Sequence, residues 1–284
     1  MTNNVKGNAG IAGKIGTVLK YAGLIAYALT TLFPLLWIFS ISFRDNDQIF
    51  TSIRLIPESF QLTNYKQVIM GSNIPLAFWN SVSITAVSIV LLLFCALTLS
   101  FAVSRFRFKG ATAVYLFFSA AVMVPTVTIL PMTFKLFNDL HIFGMKYSIV
   151  FAYVISELPI AIFLMVMFMK SIPQELDEAS VIDGCSIWQL FWRVILPLSR
   201  NGIVTITILA FVAFWNEYLT ALVMLPDRAN RTLSVALSFT KDENSVKYGL
   251  MAASVMIAVI PMILFYALVK NQLVKGMALG AVKG

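Results

Sequence analysis

Six apolar stretches, each long enough to cross a bilayer, leave this chain few folds to choose from. About 20 residues of helix span some 30 Å of hydrocarbon, and stretches of that order run at 18–41, 76–103, 111–136, 148–169, 203–225 and 249–269. Inside lipid the backbone must satisfy its own hydrogen bonds, so each stretch is expected to be helical. The expectation is an all-α, polytopic membrane protein with six transmembrane helices. Composition agrees: 59% hydrophobic and 12% charged residues, with a mean hydropathy of +0.85, lie far from the roughly half and quarter typical of soluble domains.

The net charge of +8 raises the question of a nucleic-acid partner. Its 21 Lys and Arg are scattered between apolar stretches and make no patch or stripe, so nucleic acid is excluded as the expected partner. Two cysteines, Cys95 and Cys185, imply no disulfide framework, and a single histidine, His141, leaves no His-based metal site. The segment Asn8-Ala9-Gly10-Ile11-Ala12-Gly13-Lys14-Ile15 fails as a phosphate loop, with Asn8 at the first glycine and Ile15 at the Ser/Thr.

The chain divides into a polar, poorly structured lead at 1–17, a six-helix membrane domain at 18–270 and a basic tail at 271–284. Prolines 34, 125, 131, 159 and 261 fall inside the spans and are expected to kink them. With the N-terminus inside, the inner segments carry Lys6, Lys14, Lys20, Arg105, Arg107, Lys109, Lys170, Arg193, Arg200, Lys270, Lys275 and Lys283, twelve of the twenty-one cations. The inner connections are also shorter, so both termini are expected in the cytoplasm. The first outer loop, 42–75, carries Arg44, Asp45, Asp47, Arg54, Glu58 and Lys66 and reads as a mixed, solvated surface.

One cytoplasmic segment, 171–200, is polar and ordered by its own signals. Ser171 with Gln174, and Ser186 with Gln189, both fit the reciprocal hydroxyl–amide cap of a helix start, and Pro173 sits where a missing N–H costs nothing. Gly184 can take the left-handed conformation that ends the first helix, and Pro197 discourages continuation of the second. Ile187, Leu190, Phe191, Val194 and Ile195 form one apolar stripe, with Trp188 and Trp192 beside it. Such a stripe either lies on its own bundle or docks in a partner's groove.

The spacing Glu178-Ala179-Ser180, three residues, Gly184, nine residues, Val194, one residue, Leu196-Pro197 resembles the cytoplasmic signature loop of ABC importer permeases. Ser180 and Val194 depart mildly from that pattern, standing where alanine and isoleucine are usual. The flanking SIPQELDEA, Asp183 and the Trp188–Trp192 run are similar to the carbohydrate-uptake branch, the maltose-type permeases, and to its smaller subunit. The resemblance, which runs from about Asn80 to Gly284, implies the type I importer permease fold. It also implies a coupling role towards an ATPase for Glu178, Ala179, Asp183, Gly184, Trp188, Leu196 and Pro197.

Within the spans, Glu157 and Glu217 are functional candidates because a carboxylate in hydrocarbon is costly. At 1.5 Å per residue they lie roughly 20 and 24 Å from the cytoplasmic ends. Trp215, Asn216 and Tyr218 surround Glu217, and amides, carboxylates and aromatic faces suit a sugar; the same residues also suit helix-to-helix locking at the interface belt. In the outer loop 226–248, the resemblance implies that Leu233, Ser234, Ala236 and Leu237 meet an external solute-binding protein, with an ordinary surface hairpin as the alternative. Asn80 and Ser81 are read as fold markers that hydrogen-bond a neighbouring helix.

The resemblance therefore implies one permease of an ATP-driven importer of an oligosaccharide in a plasma or inner membrane. It implies no catalytic residue and no cofactor on this chain, ATP and magnesium being held by a separate ABC ATPase dimer. The implied partners are a second permease, homologous or identical, that ATPase, a solute-binding protein, the carbohydrate and membrane lipid. An importer of a non-sugar solute is the alternative.

Overall fold

The computed structural model describes residues 5–52, 54–57, 60–239 and 247–281, without the side chains of 5–12, 15 and 271–281. All regular structure among them is helical: α1 Val5–Ile41, α2 Asn46–Thr51, α3 Thr63–Gly71, α4 Ile74–Arg105, α5 Ala111–Ala121, α6 Thr126–Asp139 and α7 Ser148–Lys170. Then follow α8 Glu175–Ile182, α9 Ile187–Gln189, a π-helical stretch Leu190–Ile195, α10 Leu196–Leu198, α11 Arg200–Asn216, α12 Leu219–Met224, α13 Leu233–Ser238 and α14 Tyr248–Ala281. Two units separate, one made of 1–71 with 240–257, the other of 72–239 with 258–284.

Four helical segments are single spans: Gly16–Ile41, Ile74–Arg105, Ser148–Lys170 and Tyr248–Lys270. The other two expected spans are not straight rods. Residues 111–136 form α5 and α6, which meet at 105°, and α11 is preceded by the Ile187–Leu198 helix at 72°. Counting each bent pair once gives six. Of the five prolines only Pro125 breaks its span: it is extended at ψ 127, while Pro34, Pro131, Pro159 and Pro261 lie within continuous helix. The expected 203–225 span also stops early, α11 ending at Asn216 and α12 restarting at Leu219.

Two boundaries differ from expectation. The lead at 1–17 was expected to lack structure, yet α1 already begins at Val5. No proline falls between Val5 and Val18 to stop the helix. The 271–284 tail is helical through Ala281. Met1–Asn4, Glu58, the 240–246 part of the outer loop, and Val282, Lys283 and Gly284 lie outside the described residues.

In the first unit Arg44 corrects the reading of 42–75 as solvated. It is 2% exposed, and its guanidinium donates to Ser40 Oγ at 2.9 Å, to the Ser52 carbonyl at 3.3 Å and to the Arg54 carbonyl. Asn64 Nδ2 closes the same turn on the carbonyls of Ser42 and Arg44. A buried cation persists here because backbone carbonyls replace its water.

The core of the second unit is the α4–α7 pair with α11 laid against it. Ile84, Leu92, Ile149, Ile162, Met165 and Ile206 are buried there, and small residues let the backbones approach. Gly202 is the clearest case: a Cβ built on it would stand 2.7 Å from Phe168 Cδ2. Ser100 Oγ donates across the pair to the Ile162 carbonyl at 3.4 Å.

Candidate functional site

The polar segment after α7 is built as two short helices joined by a sharp turn. Only the second cap forms as expected. Ser171 stays helical (φ −75, ψ −12) as the C-cap of α7, and its hydroxyl donates to the Phe168 carbonyl at 2.7 Å, so no Ser171–Gln174 box exists and α8 has no side-chain cap bond. Glu175, Asp177 and Glu178 occupy its first turn instead, where negative charge complements the helix dipole.

Gly184 takes φ +78. The Cys185 N–H bonds to the Ser180 carbonyl and the Gly184 N–H to that of Val181, the paired bonds of a Schellman ending that needs a left-handed residue. Ser186 then opens the second helix with a complete capping box: Gln189 N–H to Ser186 Oγ at 3.3 Å and Ser186 N–H to Gln189 Oε1 at 2.7 Å. The helix widens to π register over Leu190–Ile195 before Pro197. Pro197 lacks the N–H that α geometry would direct at the Arg193 carbonyl, and a π turn accommodates that gap.

The apolar stripe proves to have two destinations. Leu190, Phe191 and Ile195 are buried in the core of their own subunit, with Val194 and Leu196 packed against it. Ile187 is not: it is 59% exposed, next to Trp188 at 68% and Trp192 at 58%. Across the turn, α8 adds Val181 and Ile182, the latter 85% exposed. One side of the second helix thus fastens the loop to its bundle, while these large apolar side chains stay exposed, Ile187 and Trp188 lining a cavity with Phe101 and Phe106 at the end of α4. Glu178, Ala179, Asp183, Gly184 and Pro197 are exposed as well.

Arg105, the last residue of α4, fixes the loop at its base, a role with no local signal beyond its charge. Its side chain is 3% exposed; Nη1 donates to the Ile172 carbonyl at 3.2 Å, and Nε lies 3.4 Å from Asp177 Oδ2. Burial raises the Asp177 carboxyl above its ordinary range; Arg105 works against that rise and Glu178 adds to it.

The candidate residues of the spans are held in different ways. The Glu217 carboxylate accepts from the N–H groups of Thr220 (2.6 Å) and Ala221 (2.9 Å) and from Tyr153 Oη (3.1 Å). It therefore caps α12 at the break in the span. Tyr153 itself stacks on Phe214 at 5.3 Å. Trp215 is buried, donating to the Ala258 carbonyl and stacked on Phe211. Asn216 and Tyr218 face outward, although Asn216 Nδ2 donates back to the Val212 carbonyl. Glu157, half-buried, lines a small recess with Leu92, Ile160, Ala161, Ile206 and Ala210.

At the opposite end of α4 a second loop is pinned. Asn80 Nδ2 donates to the carbonyls of Ala229 (2.8 Å) and Arg231 (3.1 Å), and the Leu233 N–H donates to Ser81 Oγ at 2.8 Å. Asn80 and Ser81 were expected to bond a neighbouring helix; their partners are in the connection before α13 and at its first residue. Leu233 is 2% exposed and points inward, while Ser234, Ala236 and Leu237 are half-buried. Ser234 Oγ donates to the Trp215 carbonyl at 3.1 Å.

This arrangement of broken spans and a projecting two-helix loop has known counterparts. Residues 95–278 match the family described as binding-protein-dependent transport system inner membrane component. The chain belongs to that family. Among similar proteins, the trehalose transport system permease protein SugB of Mycobacterium tuberculosis is 30% identical, with 92% of this chain and 94% of that protein covered. The probable starch degradation products transport system permease AmyC of Thermoanaerobacterium thermosulfurigenes is 29% identical over 94% and 96%. A chain in the crystal structure of a bacterial ABC transporter that imports the acidic polysaccharide alginate superposes with a TM-score of 0.82 at 22% identity, covering 92% of this chain and 97% of that one. The permease thus has the type I ABC importer fold and is a membrane transport component.

Proposed function

We propose that this permease is one of two that form the translocation pathway of an ATP-driven oligosaccharide importer, driven through the loop 171–200. The observation that carries the reading is the exposed apolar set of Val181, Ile182, Ile187, Trp188 and Trp192, held on a loop whose second helix is fastened into its own core. A projection ordered by a Schellman turn and one capping box, with an apolar patch of this kind, fits a protein partner. The positive-inside count supports its lying in the cytoplasm, with both termini, where a separate ABC ATPase binding ATP and magnesium would grip it. Rigid-body movement of the loop would tilt the spans and open the pathway alternately to the two sides.

Sugar as the cargo is supported by the relatives, whose names specify trehalose, trehalose/maltose and starch degradation products. Glu157, Asn216 and Tyr218 are the pathway candidates; Trp215 and Glu217 hold the frame around them. The loop that leads into α13 would face a solute-binding protein outside. A periplasmic protein is bound in the alginate transporter, one chain of which superposes with a TM-score of 0.64.

The test is co-expression with a neighbouring permease, ATPase and binding protein. The ATPase should accompany the tagged permease through purification, and the reconstituted assembly should take up one of radiolabelled maltose, maltotriose, trehalose or diacetylchitobiose. An unaccompanied permease, or an assembly that imports none of these sugars, contradicts the reading.

A further inference from the structure

The contact between Arg105 and Asp177 is incomplete in a specific way. The guanidinium has two usable edges: Nη1 is occupied by the Ile172 carbonyl, while Nε and Nη2, which form the other edge, are both buried without a hydrogen-bond partner. Facing that edge is the Asp177 carboxylate, whose Oδ1 is likewise buried and unpartnered and whose Oδ2 is 3.4 Å from Nε. An arginine edge and a carboxylate are matched for two parallel hydrogen bonds, and charged pairs of that kind close to 2.7–2.9 Å. The Nε–Oδ2 contact, at 3.4 Å, is about 0.5 Å longer than such a bond, and turning the two groups edge to edge would give Nε, Nη2 and Oδ1 their missing partners.

Orphaned buried polar atoms are uncommon and call for a cause, and a loosely paired buried ion pair adds little to stability. The location supplies a cause. Arg105 is the last residue of α4, the helix that runs the length of the core. Asp177 is in the first turn of α8, the helix that carries Val181 and Ile182 on the outward patch. The second helix leads directly into α11, whereas force applied to the α8 part of the patch has this pair as a direct side-chain crossing to a span. The neighbouring apolar contacts, Phe101 on Phe191 at 5.0 Å and on Phe106 at 5.4 Å, reach the second helix and the end of α4 but not α8.

We propose that Arg105 and Asp177 are a positioning pair that locks α8 to the end of α4 during transport, closing from a single long contact to a two-bond pair as the loop is drawn in. The proposal rests on the coupling role given to this loop. Neither residue belongs to the docking patch: the pair acts on how the loop's movement reaches α4, not on whether the ATPase binds.

The experiment uses the full assembly in proteoliposomes with four permeases: unaltered, Arg105→Asp, Asp177→Arg and the double reversal. Two quantities are read for each, ATPase retained on purification and uptake from the panel of maltose, maltotriose, trehalose and diacetylchitobiose. Each single reversal should keep the ATPase and lose uptake by about 5- to 150-fold, the range of ordinary coupling energies. The double reversal should regain most of it, which a merely structural loss would not do. The proposal is overturned if the single reversals import at the unaltered rate, if the double reversal is no better than the singles, or if the singles shed the ATPase. An unaltered assembly that binds no ATPase or imports no sugar is a separate result, and it removes the coupling reading itself.

Discussion

The two ends of α4 hold their loops by different chemistry. At the N-terminal end Asn80 and Ser81 make three short, neutral hydrogen bonds of 2.8–3.1 Å to the segment before α13 and to Leu233, and Leu233 is buried beside them. At the C-terminal end one arginine holds the Ile172 carbonyl by a 3.2 Å bond and α8 by a 3.4 Å ionic contact, with bonding capacity left over. The first attachment spends both Asn80 amide hydrogens and the Leu233 N–H on neutral partners and fixes geometry, although Thr232 Oγ1 in the same segment is buried without a partner. The second is unsaturated and can tighten. A transport device needs both: one loop that stays where the spans put it, and one that passes on movement.

The largest effect that would break this contrast is expected on the outward patch. Trp188→Asp puts a charge at the centre of an apolar surface; loss of an aromatic anchor at an interface costs at least about 2 kcal/mol, roughly 30-fold in affinity. Pull-down of the ATPase should fall accordingly while membrane insertion is unchanged. Next, Gly202→Leu drives a side chain into Phe168, where even a Cβ would be 2.7 Å away. Overpacking of about 1–3 kcal/mol should appear as a lower melting temperature in detergent, because the frame carrying both loops is strained.

A change at the N-terminal end of α4 should be more local. Asn80→Ala strips the donor from two carbonyls at a cost of about 1–3 kcal/mol, and limited proteolysis should then cut faster between α12 and α13 while ATPase pull-down is unaltered. Impaired pull-down would mean that the two ends are not independent in binding. The smallest effect belongs to Ser186→Ala, which removes one cap worth about 1 kcal/mol. It should modestly speed hydrogen exchange at Ile187–Gln189 and leave the exchange of α8 unchanged.

Signals that act within a few residues were readable from the sequence. Gly184 and the Ser186–Gln189 box are short-range, and both formed as expected. Ser171 had the same pattern but a second choice, the Phe168 carbonyl one turn back, and tertiary continuation of α7 decided for it. Prolines alone did not reveal that Pro125 would break its span and Pro131 would not, since the outcome depends on which neighbours accept the freed carbonyls.

Long-range pairings were closed to such reading. Arg105 counted only as a topological charge, and nothing local joins it to Asp177. Glu217 stood out in the sequence as a carboxylate inside a span, but its role as a cap depends on α11 stopping at Asn216 and on Tyr153 from another helix. The apolar stripe of 187–195 was legible as a stripe; that its first residue turns outward while the rest turn inward follows from the packing of Phe191 against Phe101.

On the proposed reading, the Ile182–Trp188 face lies in the cytoplasm and is covered by a separate ATPase. The most direct measurement is labelling of Ile182→Cys, with Cys95 and Cys185 replaced by serine, by a membrane-impermeant maleimide. The thiol should react in inverted vesicles and not in right-side-out ones, and adding the ATPase should protect it. Labelling from the outside, or labelling unaffected by bound ATPase, would contradict the account.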